Sequence, residues 1–167
     1  GTPFSVRLKT PRSGETTFKD HVYGDISVKN SEIDDFILAR SDENQTPVYN
    51  LVVVVDDHSM AITHVIRGED HISNTIKQIL IYKALNWEIP EFVHLPMILG
   101  PNKERLSKRH GATGVQEYQK EGYQYEGLLN YLAFLGWNPG TDEEIMNLDS
   151  LAKSFSFEGI QKKLSLI

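Results

Sequence analysis

The segment "ITHVIRGEDHISNTIKQILIYKAL", Ile62 to Leu85, constrains the fold more than any other stretch of the chain. "ITHVIRG" has the β-branched content of a strand and ends at a glycine. Behind it, Ile72, Ile76, Ile79 and Leu80 recur at helical spacing between His71 and Leu85, with Asp70 placed to cap the helix. Strand, turn and helix, followed by a further strand in "FVHLPMIL", is α/β architecture. The preceding run "YNLVVVV" is apolar on every face, and periodicity cannot separate a buried strand from a buried helix of about two turns. Upstream, "FSVRLKT", "TTFKDHVYG" and "DISVK" alternate with turn-prone Pro-Arg-Ser-Gly and Tyr-Gly-Asp, which reads as a small antiparallel element. The polar turn "SDENQTP", Ser41 to Pro47, marks a boundary after it. Downstream, "TGVQEYQKEG", "YEGLLNYLAFLGW" and "DSLAKSF" read as short helices punctuated by Gly122, Gly136 and the Asn138-Pro139-Gly140 turn. The chain thus passes from β through α/β to all-α, without internal repeats or low-complexity segments.

Composition narrows the classes. The 167 residues carry no cysteine, which excludes disulfide scaffolds, thiolate zinc sites and cysteine nucleophiles, and fits a reducing compartment. No stretch reaches the roughly 18 apolar residues of a membrane span, and the N-terminus does not read as a signal peptide, so the cytoplasm is the expected location. A formal net charge of -6 argues against nonspecific coating of nucleic acid, while local basic patches can still contact a few phosphates.

One such patch is "RLSKRHGA", Arg105 to Ala112, which follows the Gly100-Pro101-Asn102 turn. Lysine is a compact, mobile charge suited to phosphate oxygens, and the backbone N–H groups of a glycine-bounded loop add donors. From charge alone, a solvated basic loop is the commoner reading. Neither a Walker-type loop nor a G-x-G-x-x-G is present. Arg67 is a second candidate, because it closes a strand at a glycine and ligands of open α/β sheets bind beyond the carboxyl ends of strands. A guanidinium can grip a carboxylate bidentately; a structural salt bridge with Glu69 or Asp70 is the alternative.

"LSKRHG" resembles the second signature loop of class I aminoacyl-tRNA synthetases, the Lys-Met-Ser-Lys-Ser motif, in its bacterial-type glutamyl-tRNA synthetase variant. "PVYNLVVVVDDHSMAITHVIRGEDHISNTIKQILIYKAL", "FVHLPMILGPNKERLSKRHGA" and "EGYQYEGLLNYLAFLGW" resemble the same family in the same order. The resemblance implies activation of L-glutamate with ATP and Mg2+ to glutamyl-adenylate, then transfer to the 3'-terminal adenosine of tRNA(Glu). It assigns Lys108 to the triphosphate, Arg105 to the position of the motif's first lysine, and Ser107 to positioning the loop. Loss of Lys108 is expected to cost on the order of 3 kcal/mol of transition-state stabilisation. By the same resemblance Arg67 recognises the glutamate side chain, with Tyr49 and Val53 in that pocket, while His71 and the backbone at Met97 and Ile98 border the ATP. It also makes "VYNLVVVVDD" helical, with Tyr49 and Val53 on one face at i and i+4, although propensity leans towards a strand.

The implied layout is the end of the acceptor-binding insertion over residues 1–45, the second half of the Rossmann-like catalytic domain with the signature loop over 46–112, and a helical stem-contact region over 113–167. The family's first signature, His-Ile-Gly-His, is absent, and so is its anticodon-binding region. With Gly1 in place of an initiator Met and an apolar end at "LSLI", the expectation is a central fragment of a monomeric parent, inactive by itself. A glutaminyl-tRNA synthetase, a truncated paralogue that glutamylates a tRNA nucleoside, and a noncatalytic acceptor-stem module are the alternatives.

The remaining polar residues carry less. Asp56 and Asp57 are adjacent, so their side chains diverge, and a capping or turn role is the commoner one. The six histidines show no metal-ligand spacing, and no zinc is expected. Trp87, Trp137, Tyr82, Tyr118, Tyr123 and Tyr131 read as packing residues.

Overall fold

The computed structural model describes residues 2–99, 114–162 and 165–166. The chain divides into two compact units, Gly1–His94 and Leu95–Ile167. The signature-loop residues Arg105, Ser107 and Lys108 lie outside the described residues.

In the first unit, β1 (Val6–Arg7) pairs antiparallel with β4 (Ile37–Ala39). Strands β2 (Glu15–Asp20) and β3 (Gly24–Lys29) form a hairpin in register from Glu15↔Lys29 to Asp20↔Gly24. Gly24 sits at φ 77°, where a side chain would be strained, so the turn has the residue it requires. The hairpin belongs to a four-stranded sheet ordered β3-β2-β6-β5, in which β5 is His64–Gly68 and β6 is Glu91–Leu95. β2 runs parallel to β6, with Asp20 opposite Phe92. That register carries the site described below.

"YNLVVVV" is helical: α1 spans Tyr49–Ser59. β-branched residues lower helix propensity by only tenths of a kcal/mol each, and packing outweighs that. Val54 is fully buried and packs with Ile81 and Tyr82, flanked by Leu51, Leu38 and Trp87. Helix α2 (Ile72–Leu85) buries Ile76 and Leu80 against Ile33, with Leu8, Phe18 and Phe36 around them. Asn86 ends it in the left-handed conformation, φ 56°. The start of α2 differs from the sequence expectation. Asp70 is not its cap: Glu69–His71 forms a 3-10 turn that leads into the helix, His71 occupies the capping position, and no side chain closes it. "FVHLPMIL" also divides. Pro96 lacks the N–H that a continuing ladder needs, and β7 (Ile98–Leu99) pairs instead in parallel with β8 (Ser165–Leu166).

The second unit carries α3 (Val115–Lys120), α4 (Tyr125–Phe134) and α5 (Leu148–Ser154). Asn147 caps α5 by accepting from the Ser150 N–H at 2.8 Å. The buried Trp137 donates its indole N–H to the Ser156 carbonyl at 3.1 Å, which satisfies the one polar atom of that ring.

Candidate functional site

Arg67 stands at the carboxyl end of β5, one residue before Gly68. Its guanidinium donates from Nη2 to Thr75 Oγ1 at 2.7 Å and to Gln78 Oε1 at 2.8 Å, both one and two turns into α2. Nε–H points at His94 Nε2, 3.3 Å away on β6. The strand presents the arginine, the helix packed behind it holds one amino group, Nη2, and the neighbouring strand faces Nε. Gln78 is itself fixed, since its amide donates to Asn50 Oδ1 at 3.1 Å.

His94 is fully buried and so is its partner Asp20. Asp20 Oδ1 accepts the Val22 and Tyr23 N–H groups at 2.9 Å each; Oδ2 accepts the His94 N–H at 3.1 Å and Nδ1–H at 2.6 Å. With the proton on Nδ1, the lone pair of Nε2 is left facing Arg67 and Thr75. Burial pushes the His94 pKa below its ordinary value, outweighing the Asp20 carboxylate, and Arg67 adds to the downward shift. The neutral Nδ1–H tautomer is thus the form that every neighbour requires. Asp20, His94 and Arg67 make a relay in which a carboxylate fixes an imidazole and the imidazole fixes a guanidinium.

The hydrogen bonds of Arg67 run to these neutral groups and not to Glu69 or Asp70. Glu69 accepts instead from the Tyr23 hydroxyl. Burial lowers the Arg67 pKa, opposed by the Tyr49 hydroxyl and by the charges of Asp57 and Asp70. The guanidinium stays protonated, because its ordinary pKa lies far above neutrality. Nε and Nη2 are taken by His94, Thr75 and Gln78, and the Tyr49 hydroxyl interacts with the same guanidinium, which leaves Nη1 and that hydroxyl side by side.

Tyr49 opens α1, and its hydroxyl lies 3.3 Å from His71 Nδ1, which Asn74 Nδ2 also approaches at 3.2 Å. The structure therefore brings Arg67, Tyr49 and His71 together. Val53 lies one turn along α1 from Tyr49 and is half-buried. Met97 and Ile98 belong to the second unit, where Ile98 opens β7. Asp56 and Asp57 occupy the last turn of α1, and their backbone carbonyls accept the Met60 and Ile62 N–H groups. Their side chains diverge; Asp57 is half-buried, its carboxyl pushed upward by burial while Arg67 pulls it down. Trp87 stacks on His58, ring centroids 3.9 Å apart. Asp20, His94, Thr75, Gln78 and Asn50 were not among the residues singled out by sequence. The one available signal was His94 itself, a histidine inside the apolar strand "FVHLP".

The profile of the family described as "tRNA synthetases class I (E and Q), catalytic domain" matches residues 1–167. The chain belongs to this family. Among its relatives, a glutamate–tRNA ligase of Lawsonia intracellularis is 58% identical over 150 residues, covering 90% of this chain and 32% of that protein. Glutamate–tRNA ligase 2 of Ruegeria pomeroyi is 51% identical over 160 residues, covering 91% and 34%. The crystal structure of a glutamate tRNA ligase from Elizabethkingia meningosepticum in complex with its amino acid superposes with a TM-score of 0.88 at 34% identity, over 99% of this chain and 36% of that one. The class I synthetase catalytic fold is thereby established, and the chain spans about a third of the length of the curated relatives it matches. Among the described residues no helix is long and apolar enough to cross a membrane.

Proposed function

We propose that this chain is the part of a glutamate–tRNA ligase that holds the amino-acid side chain and, through its signature loop, the triphosphate. The whole protein activates L-glutamate with ATP and Mg2+ and transfers it to the 3'-terminal adenosine of tRNA(Glu). The observation that carries this reading is Arg67: a half-buried cation, at a strand end, whose hydrogen-bond partners among the described residues are all neutral. Desolvating a guanidinium without a contacting anion costs several kcal/mol, and an anionic ligand recovers that cost. Kinship with glutamate–tRNA ligases supplies the ligand.

The committed donors refine how that ligand is gripped. Both hydrogens of Nη1 sit on one nitrogen, so they do not make the two-nitrogen fork of a bidentate pair. The glutamate carboxylate is expected to take one oxygen to Arg67 Nη1 and the other to the Tyr49 hydroxyl, with Val53 as the apolar wall. Glutamine can turn its carbonyl oxygen to Nη1 and its NH2 group to the Tyr49 hydroxyl, but it brings no negative charge to the desolvated guanidinium and so loses the charge-assisted bond. His71, Met97 and Ile98 border the ATP, and Arg105, Ser107 and Lys108 engage its phosphates. Residues 1–45 belong to the acceptor-binding insertion and 113–167 contact the tRNA stem. The protein is monomeric and cytoplasmic. Without the His-Ile-Gly-His signature, the 167 residues alone are not competent.

The test is tRNA charging by the whole protein with each of the two amino acids. Glutamate is expected to support charging and glutamine to fail; preference for glutamine overturns the proposal.

A further inference from the structure

The sheet gathers three side chains that no spacing in the sequence connects. His21 follows the last residue of β2, His64 opens β5 and Glu91 opens β6. Backbone hydrogen bonds fix their mutual positions: the His21 N–H donates to the Phe92 carbonyl at 3.0 Å, and the Glu91 N–H to the Thr63 carbonyl at 2.9 Å. Three adjacent strands therefore present one ligand each at the same end of the sheet. The potential ligand atoms lie within 4.8 Å of one another, with Glu91 Oε2 at 2.5 Å from His21 Nε2 and 3.8 Å from His64 Nε2.

We infer that His21, His64 and Glu91 form a binding site for a divalent d-block cation, Zn2+ being the expected occupant. Two imidazoles and a carboxylate are the donor set that suits this class of ion. Mg2+ and Ca2+ prefer six or more oxygens, which this cluster does not offer. A tetrahedral ion with bonds of roughly 2.0–2.2 Å separates its ligand atoms by about 3.4 Å. The observed separations of 2.5 and 3.8 Å fall on either side of that value. The side chains are 31%, 39% and 59% exposed, so small rotations on a fixed backbone bring them to it. His64 is already oriented: its Nδ1 hydrogen-bonds the Thr63 hydroxyl at 2.9 Å, which turns Nε2 towards Glu91 and supplies the outer contact typical of a metal-bound histidine. A cavity of about 590 Å³, lined in part by His64 and Glu91, leaves room for water as the fourth ligand. The ion would tie three strand ends together, next to the Asp20 that anchors His94. This site is separate from the Arg67 cluster and does not depend on the proposed activity.

The experiment is calorimetric titration of chelator-treated protein with Zn2+, paired with thermal unfolding and with the visible spectrum of the Co2+ form. One equivalent should bind, with intense tetrahedral Co2+ bands, and Mg2+ should not compete. Zn2+ at a hundred times its Kd should raise Tm by about 5–10 °C. His21→Gln and His64→Gln should each weaken binding by more than the roughly 10–100-fold lost with an outer partner, and Thr63→Val by about that amount. All three positions are exposed enough that the metal-free Tm should be unchanged, which separates loss of the site from loss of the fold. Absence of saturable binding below ~1 mM overturns the inference, as does binding of undiminished affinity in the His21→Gln, His64→Gln double variant.

Discussion

Replacing Asp20 by Asn is the sharpest perturbation of the relay, because it keeps shape and removes one acceptor. The buried carboxylate accepts four N–H donors, two on each oxygen. Asparagine can keep its carbonyl towards Val22 and Tyr23, but its NH2 group then faces the His94 N–H and Nδ1–H. Two buried donors lose their acceptor, at about 1–3 kcal/mol each, and the charge-assisted contact at 2.6 Å becomes a clash of donors. The sum is ~3–5 kcal/mol, the scale of breaking a buried pair, against a total stability of about 5–15 kcal/mol. His94 has one escape, the other tautomer. That places a proton on Nε2, 3.3 Å from the Nε–H of Arg67, and pushes the guanidinium off its position. The variant should therefore lose ~3–5 kcal/mol in urea unfolding followed by circular dichroism, and the whole protein should show a raised KM for glutamate with little change in KM for ATP. A loss below about 1 kcal/mol, with glutamate kinetics unchanged, would refute both the tautomer assignment and the relay.

Two further outcomes follow from the same structure. The His94 pKa is lower in the folded chain than its ordinary 6.5, so the unfolded state binds the extra proton first. Stability should be fully present above about pH 6.5 and should fall as pH drops below it towards the folded value, a slope that His94→Gln removes in unfolding measured across pH. In the second unit, a Cβ on Gly159 would meet the Asn138 carbonyl and the Trp137 indole nitrogen at 2.5 Å. Gly159→Ala should destabilise that unit by ~1–3 kcal/mol, seen as loss of protection of the Trp137 indole N–H in hydrogen exchange.

Much of the fold was legible in local pattern, because the elements concerned are set by local chemistry: the β2–β3 hairpin by Tyr-Gly-Asp, α2 by its apolar spacing, α4 and α5 by the glycines and the Asn138-Pro139-Gly140 turn around them. Helix α1 was not legible that way. Its valines favour a strand, and only resemblance to a family gave the helix that packing of Val54 on Ile81 and Tyr82 sustains. The end of β6 is not legible in "FVHLPMIL", because Pro96 lies within an otherwise continuous apolar run. The cap of α2 was misplaced because a 3-10 turn displaces the start of the helix past Asp70. At the site, Arg67 could be found from its place at a strand end, and Tyr49 and His71 from the resemblance. The residues that hold Arg67 could not. Asp20 and His94 lie 74 residues apart and meet only through the register that sets Asp20 opposite Phe92. The cluster of His21, His64 and Glu91 was hidden for the same reason.

On the proposed function, Arg67, held by neutral partners, recognises the carboxylate of glutamate. The most direct measurement is the steady-state kinetics of tRNA charging by the whole protein with Arg67→Lys, varying glutamate and ATP separately. Lysine keeps the charge but cannot engage His94, Thr75 and Gln78 together while presenting a donor to the ligand. The glutamate KM should rise by about 10–100-fold, the ~1.5–3 kcal/mol of a hydrogen bond to a charged group, with the ATP KM unchanged. An unchanged glutamate KM, or equal shifts for both substrates, would contradict it.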